Sequence, residues 1–267
     1  MIASTTISYI ARAGYGAKTV VYILLGIFVI TTAFTFLQSE EPTQDHVFRT
    51  LLEQPLGWYL LAGVVCGLVC YMLWRLIQAF LNTENLDMSK AGDVITRAFF
   101  VLSATIYGVG AWGAIRVLIG TGNSEKDSSK QVSQELMQQA WGEWLVAAIG
   151  TGILIFSFIQ LKHACKADFM EKFNTHHMRD SEIHISRIAG RLGYLARGVV
   201  YILVGAFFIQ AAIELDPSEA GGIKEAFSTI LNQRYGQYGL AATGAGIAMF
   251  GIFCGFETIY RTTPGNR

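Results

Sequence analysis

Six stretches of this chain carry no charged side chain over 16 to 19 residues, namely 19–37, 58–74, 98–115, 144–161, 198–213 and 238–256. Each is close to the roughly 20 residues that a helix needs to cross the hydrocarbon core of a bilayer. Buried helices of a soluble protein would show a polar stripe every 3.6 residues, and these stretches show none. Only 15% of the residues are charged, against about 25% in soluble proteins. The sequence therefore predicts six membrane-spanning helices.

The first of these stretches recurs later in the chain. RAGYGAKTVVYILLG at 12–26 returns as RLGYLARGVVYILVG at 191–205. A middle copy keeps Arg97 and Tyr107 at the same separation but has Phe99 and Phe100 where the other copies have a Gly-Tyr pair. The second spans align as well, on the glycines and aromatics Gly57, Gly67 and Tyr71, then Gly142, Gly152 and Phe156, then Gly236, Gly246 and Phe250. The chain therefore contains three copies of one unit.

Each copy consists of a span, a loop and a second span. The copies cover about 8–82, 93–167 and 187–261, within one membrane domain that includes all of 1–267 and a linker at 162–187. The loops repeat apolar residues at i, i+4 and i+5 over 47–56, 132–141 and 226–235, the spacing of one face of a short helix. We expect an all-α membrane protein built from three tandem helix pairs, each with a short interfacial helix in its outer loop.

Lysine and arginine are unevenly divided between the two sides of these spans. The side that holds both termini carries fourteen of the twenty, and eight of the twenty acidic residues. Loops on the cytoplasmic side of a membrane hold the excess of positive charge. We therefore expect a multi-pass protein of the cell inner (cytoplasmic) membrane, with both termini in the cytoplasm.

The triplicated helix pair resembles a known family. The pattern GYxAxxxVYxxxG in the first and third copies, and LLEQPLGWYLLAGVVCGLVCYMLWRLIQAF at 51–80, are similar to the domain of unknown function 1206 family. The resemblance covers nearly the whole chain and implies a bacterial integral membrane protein of three helix pairs. It implies no activity, so it supplies no catalytic residues.

Ionisable residues are absent from the centres of the predicted spans. Lys18, Arg75 and Glu257 stand near span ends, where long side chains can reach the interface. Ion-coupled transporters usually keep such groups within the membrane. The repeated residues of the interior are instead the tyrosines Tyr22, Tyr107 and Tyr201. We expect no catalytic residue, and no metal site among the four cysteines or the histidines of the linker.

Two sets of repeated residues are candidates for contacts. Arg12, Arg97 and Arg191 stand at the mouth of each first span, where they would cap helix C-termini, hold lipid phosphates or simply mark the positive side. Small residues that allow close helix contact and the aromatics four positions after them form the second set: Gly63, Gly67, Tyr71, Gly152, Phe156, Gly246, Phe250, Gly251 and Gly255. These faces would either close the bundle or bind a partner.

These features favour association within the membrane. We expect a structural or accessory subunit that binds another membrane protein, a lipid or a pigment. A transporter or channel for a neutral or amphipathic solute is the first alternative, and a membrane enzyme is the second. We expect no cofactor other than bound lipid. The expected partners are membrane lipid and another integral membrane protein complex, without nucleic acid.

Overall fold

A computed structural model describes residues 2–35, 44–53, 55–81, 86–87, 89–121, 128–137 and 141–262. Parts of two loops used in the charge comparison, 38–43 and 122–127, lie outside the described residues. The described residues form nine α-helices: α1 Ile2–Thr35, α2 Gln44–Glu53, α3 Gly57–Leu81, α4 Ala91–Leu118, α5 Ser128–Met137, α6 Gly142–Lys166, α7 Asp180–Glu214, α8 Ile223–Leu231 and α9 Gly236–Tyr260. Six of them are long and apolar enough to cross a membrane. The predicted fold of three helix pairs, each with a short helix between its spans, is confirmed.

The short helices α2, α5 and α8 lie at one end of the bundle, which we call the loop face; the opposite end, which holds Ile2 and Thr262, is the termini face. α2 buries Phe48, and α8 buries Ala226 and Phe227. Each short helix ends just before the glycine that starts the second span. A Cβ on Gly142 would lie 1.8 Å from the carbonyl oxygen of Leu136, so only glycine permits the chain to turn there into the membrane.

The spans form an arc in the order α4, α3, α1, α9, α7, α6. The second span of each repeat packs on the first span of the next, as α3 does on α4 and α6 on α7, and α9 returns to pack on α1. Within the first and third repeats the two spans also pack on each other, α1 on α3 and α7 on α9. The backbones of the two spans of the middle repeat, α4 and α6, do not pack closely on each other, although the Phe99 and Phe156 rings meet between them. These two spans are the two ends of the arc.

The linker at 162–187 is an ordered part of the termini face. Its segment after α6 contains 3-10 turns at Asp168–Lys172 and Thr175–His177 and buries Phe169 and Phe173 in the core. The Asn174 backbone N–H donates to the Tyr260 carbonyl at 2.8 Å, and the Thr262 N–H donates to the Lys172 carbonyl at 3.0 Å. These bonds attach the linker to the C-terminal end of α9.

The described residues between α3 and α4 include a local turn on the same face. The Asp87 carboxylate accepts hydrogen bonds from the backbone N–H and the hydroxyl of Ser89, at 3.0 and 2.7 Å. Because these bonds favour the ionised form, they hold the pKa of Asp87 below its ordinary value.

A candidate site of buried cations

Lys18 lies halfway along α1 and is buried inside the bundle, with only 4% of its surface exposed. Its ammonium donates a hydrogen bond to the Tyr71 hydroxyl at 3.2 Å. Rings of Tyr71, Tyr107 and Phe250 surround it, with centroids 4.5, 5.4 and 5.2 Å from Nζ. The expectation that Lys18 extends to the interface was therefore wrong. Neighbouring helices close around the side chain and leave it no path to water.

Arg75, on α3, meets the same tyrosine. Its Nε donates to the Tyr71 hydroxyl at 2.8 Å, and its Nη1 donates to Gln78 Oε1 at 2.9 Å. The oxygen of Tyr71 thus accepts hydrogen bonds from two cationic groups, those of Lys18 and Arg75. Tyr71 itself is fully buried, so this contact lies within the protein and not at its surface.

Arg197 is the third cation, and it lies halfway along α7. Its Nη2 donates to the Tyr201 hydroxyl at 3.1 Å, and its Cζ is 4.2 Å from the centroid of the Phe250 ring. Phe250 also contacts Lys18, so one ring joins the two cations. The Nε of Arg197 is buried and has no hydrogen-bond partner among the described residues. We call Lys18, Arg75 and Arg197 the cation cluster.

The repeated tyrosines converge on this cluster from all three repeats. The hydroxyls of Tyr22 and Tyr107 are 3.2 Å apart and share a hydrogen bond. The Tyr22 ring centroid is 5.4 Å from Arg197 Cζ, and Tyr201 accepts the Arg197 hydrogen bond described above. Tyrosine suits this position because its ring contacts a cation while its hydroxyl makes hydrogen bonds within a largely apolar bundle.

No carboxylate of the described residues forms an ion pair with the cation cluster, although Glu257 lies near enough to Lys18 to interact with it electrostatically. Glu257 is the buried carboxylate of the described residues, and it is bonded to Arg261. Among the residues that the structure describes, none of the three cations forms an ion pair. Burying a charge without an opposite charge costs several kcal/mol. Contacts with aromatic rings return roughly 0.5–2 kcal/mol each and offset part of that cost, while the net positive charge of the cluster attracts anions.

The three cations lie at one depth. Lys18 is 17 residues from the loop-face end of α1, Arg197 is 17 residues from that of α7, and Arg75 is 18 residues from that of α3. At about 1.5 Å per residue, these separations are roughly 26 Å. The hydrocarbon core is about 30 Å thick. The cluster therefore lies within the protein near the level at which head groups of the termini-side leaflet begin.

Two of the three repeated arginines cap helices. Arg97 donates from Nε to the Ala79 carbonyl at 2.7 Å and from Nη2 to the Phe80 carbonyl at 3.2 Å, at the end of α3. Arg191 does the same at the end of α6, with Ala164 at 3.0 Å and Cys165 at 2.6 Å. Arg12 holds the equivalent position on α1, which packs against α9.

The predicted glycine faces fall into two groups. A Cβ on most of these glycines would contact a neighbouring span within the bundle, and the neighbours are Ala17 for Gly67, Ala196 for Gly246, Ile23 for Gly251 and Thr19 for Gly255. Gly63 and Gly152 instead have no heavy atom within 4 Å of such a Cβ. Tyr71 and Phe250 are buried in the bundle. These two aromatic positions therefore face inward and contact the cations.

The cation cluster was not predicted from the sequence, because each uncharged run was taken as the full length of a membrane-spanning helix. α1 and α7 extend for 34 and 35 residues, so positions just before the apolar runs lie inside the bundle. The sequence nevertheless contains a pattern that indicates the cluster. Lys18 and Arg197 occupy the same repeat position, four residues before the repeated tyrosines Tyr22 and Tyr201, and residues four apart share a helix face.

Metal-binding side chains do not gather in this bundle. No three His, Cys, Asp or Glu side chains converge in the part of the chain that the structure describes. All four cysteines are free, and Cys254 is buried. His163 contacts Asp168 through Nδ1 at the end of α6, which fixes the start of the linker. The chemistry available at the site is therefore that of hydrogen-bond donors, cations and aromatic rings.

Comparison with known proteins agrees with the triplicated architecture. A family model described as Domain of Unknown Function (DUF1206) matches residues 13–82, 98–167 and 192–261. A relative from Bacillus subtilis (strain 168), "Uncharacterized protein YxxB", is 30% identical over 250 residues, which cover 94% of this chain and 90% of the relative. No solved structure matches the chain.

Proposed function

We propose that this chain, which belongs to the DUF1206 family, is a non-catalytic membrane protein that binds an anionic amphiphile within its helix bundle. The supporting observation is the cation cluster, in which three buried or partly buried cations have no carboxylate partner among the described residues. Opposite unit charges about 4 Å apart attract by about 4 kcal/mol at an effective dielectric constant of about 20. An anion in this position would offset the cost of burying the cations.

The hydrogen-bond donors suit a carboxylate or phosphate head group. The Nε of Arg197 is buried and unpaired, and the Lys18 ammonium has three donors, one of which binds Tyr71. Charge-assisted bonds to an oxyanion are the strong class of hydrogen bond. The buried side chains of Tyr22, Tyr71 and Phe250 cover the site within the bundle. This proposal places the protein in the accessory class expected from the sequence, as a holder of lipid for the membrane or for a neighbouring membrane protein.

Lipid titration tests the proposal. The purified protein in mild detergent is titrated with phosphatidylglycerol, phosphatidylcholine or inorganic phosphate, and its melting temperature is followed. We expect phosphatidylglycerol alone to raise the melting temperature. Arg197→Gln and Lys18→Gln should each weaken that response at least tenfold in lipid concentration, a change of about 1.4 kcal/mol.

Arg187→Gln is the matched control, because Arg187 lies on the same helix, carries the same charge and is exposed. It should bind lipid as the natural protein does. An equal response to phosphatidylcholine, or unchanged binding in both cluster variants, would contradict the proposal. Full stabilisation by inorganic phosphate alone would also overturn it, since the ligand would then be a water-soluble anion.

A further inference from the structure

Small residues allow the two spans of the first repeat to pack closely. A Cβ on Gly14 of α1 would lie 2.6 Å from the Tyr71 Cα of α3, and a Cβ on Gly67 would lie 2.3 Å from the Ala17 Cβ. The third repeat has the same pair of contacts, Gly193 with Phe250 at 2.6 Å and Gly246 with Ala196 at 2.4 Å. Both helix pairs are therefore closed at the level of the cation cluster.

The middle repeat has large side chains at the same positions. Phe99 stands where the other repeats have Gly14 and Gly193, and Leu102 stands where they have alanine. Across from them, a Cβ on Gly152 would have no heavy atom within 4 Å. α4 and α6 are also the least buried spans: only 22% of the residues in the most apolar part of each are buried inside the bundle. With these large side chains in place, α4 and α6 do not pack closely, and the free space beside Gly152 forms a lateral opening between them.

A line of aromatic rings leads from this opening to the cation cluster. The centroids of Phe99 and Phe156 are 5.7 Å apart, and those of Phe156 and Tyr201 are 5.3 Å apart. The Tyr201 hydroxyl accepts the hydrogen bond of Arg197 at 3.1 Å. The apolar opening on the outside of the bundle and the positive charge inside it are thus joined by side chains in direct contact.

We infer that a membrane lipid enters sideways from the bilayer through this opening, with its acyl chain beside Gly152 and its anionic head group at the cation cluster. This inference rests on the proposed function and names the ligand class. Phe99 and Phe156 meet beside this opening, and Leu102 holds the repeat position that faces Gly152; such apolar side chains suit a hydrocarbon chain. The inner end of the opening has the charge and the depth that suit a phosphate head group of the termini-side leaflet. A water-soluble anion would have to cross the apolar lining.

Gly152→Leu tests the route, because the new side chain fits into the space that the acyl chain would occupy. We expect the variant to keep the melting temperature of the lipid-free protein and to lose at least tenfold in affinity for phosphatidylglycerol. Gly63→Leu is the matched control. Gly63 also has no atom within 4 Å of a Cβ, but it lies on α3, away from the opening, so this variant should bind lipid normally.

A photoactivatable phosphatidylglycerol locates the bound lipid by mass spectrometry of its adducts. We expect adducts on the facing parts of α4 and α6 around Leu102 and Gly152. Arg197→Gln should remove these adducts and leave those at Ile27, an exposed residue of α1 that meets bulk lipid. A photo-crosslinker at position 152 that captured a polypeptide instead of lipid would overturn the inference, since a partner helix would then fill the opening.

The two proposals fail in different ways. If Arg197→Gln loses lipid binding while Gly152→Leu keeps it, the cation cluster binds the head group but the lateral route is wrong. If both variants bind phosphatidylglycerol as the natural protein does, the proposed function and the route are both wrong.

Discussion

The repeats differ most in the residues that carry charge. Lys18, Ser103 and Arg197 occupy one repeat position, so two repeats place a cation there and the middle repeat places a hydroxyl. A second position holds Arg75, Gln160 and Cys254. The shared framework brings tyrosines from all three repeats together, and single substitutions then decide the local charge. The cations accordingly come from α1, α3 and α7, and the middle repeat supplies none.

The caps on the second spans depend on the planar fork of arginine. Arg191 binds the carbonyls of both Ala164 and Cys165, whereas a lysine ammonium is a single point of charge. We expect Arg191→Lys to lower the free energy of unfolding by about 1 kcal/mol, the typical worth of one hydrogen bond. Unfolding in a denaturing detergent measures this change. Arg187→Lys, at an exposed position, should have no effect, and equal stability of the two variants would contradict the capping role.

At the level of elements, the surroundings of the equivalent glycines Gly67, Gly152 and Gly246 distinguish closely packed helix pairs from the open one. A Cβ on Gly246 would lie 2.4 Å from the Ala196 Cβ, but the equivalent Gly152 has free space. Overpacking a closed contact costs about 1–3 kcal/mol. Replacing a helical glycine by alanine in free space gains about 0.5–1 kcal/mol. The same substitution should therefore have opposite effects in the two repeats.

We expect Gly246→Ala to lower the melting temperature of the lipid-free protein and Gly152→Ala to raise it or leave it unchanged. Both variants are compared with the natural protein in the same detergent. Equal destabilisation by the two substitutions would show that α4 and α6 pack as closely as the other helix pairs, and the lateral opening would then be absent.

For the whole molecule, the excess of positive charge on the termini face predicts its orientation. Ser181 and Ser218 are exposed on opposite faces. In a variant without the four natural cysteines, an impermeant thiol reagent should label Ser218→Cys in whole cells and Ser181→Cys only after permeabilisation. The reverse pattern would place both termini outside, against the positive-inside rule.

The sequence was sufficient for the spans, the repeats and the short helices between the spans of each pair, because each depends on local composition and spacing. Phe99 was also visible as a departure from the repeat. The loose packing of α4 and α6 that goes with Phe99 could not be predicted. It becomes apparent only when the structure shows close helix contacts at the equivalent glycines, Gly14 and Gly193. The burial of Lys18 and Arg197 was missed for a similar reason. It depends on where α1 and α7 end and on which helices surround them.

The contact between α1 and α9 joins two spans that lie far apart in the sequence and are made at different times. About 200 residues separate the end of α1 at Thr35 from the start of α9 at Gly236, and synthesis at about 5–20 residues per second takes roughly 10–40 seconds to bridge them. During that time α1 stands in the bilayer without its main neighbour, and Lys18 lacks the Phe250 ring that later covers it. The aromatic surroundings of Lys18 are therefore complete only after α9 has been made, although Tyr71 and Tyr107 belong to helices that are made earlier.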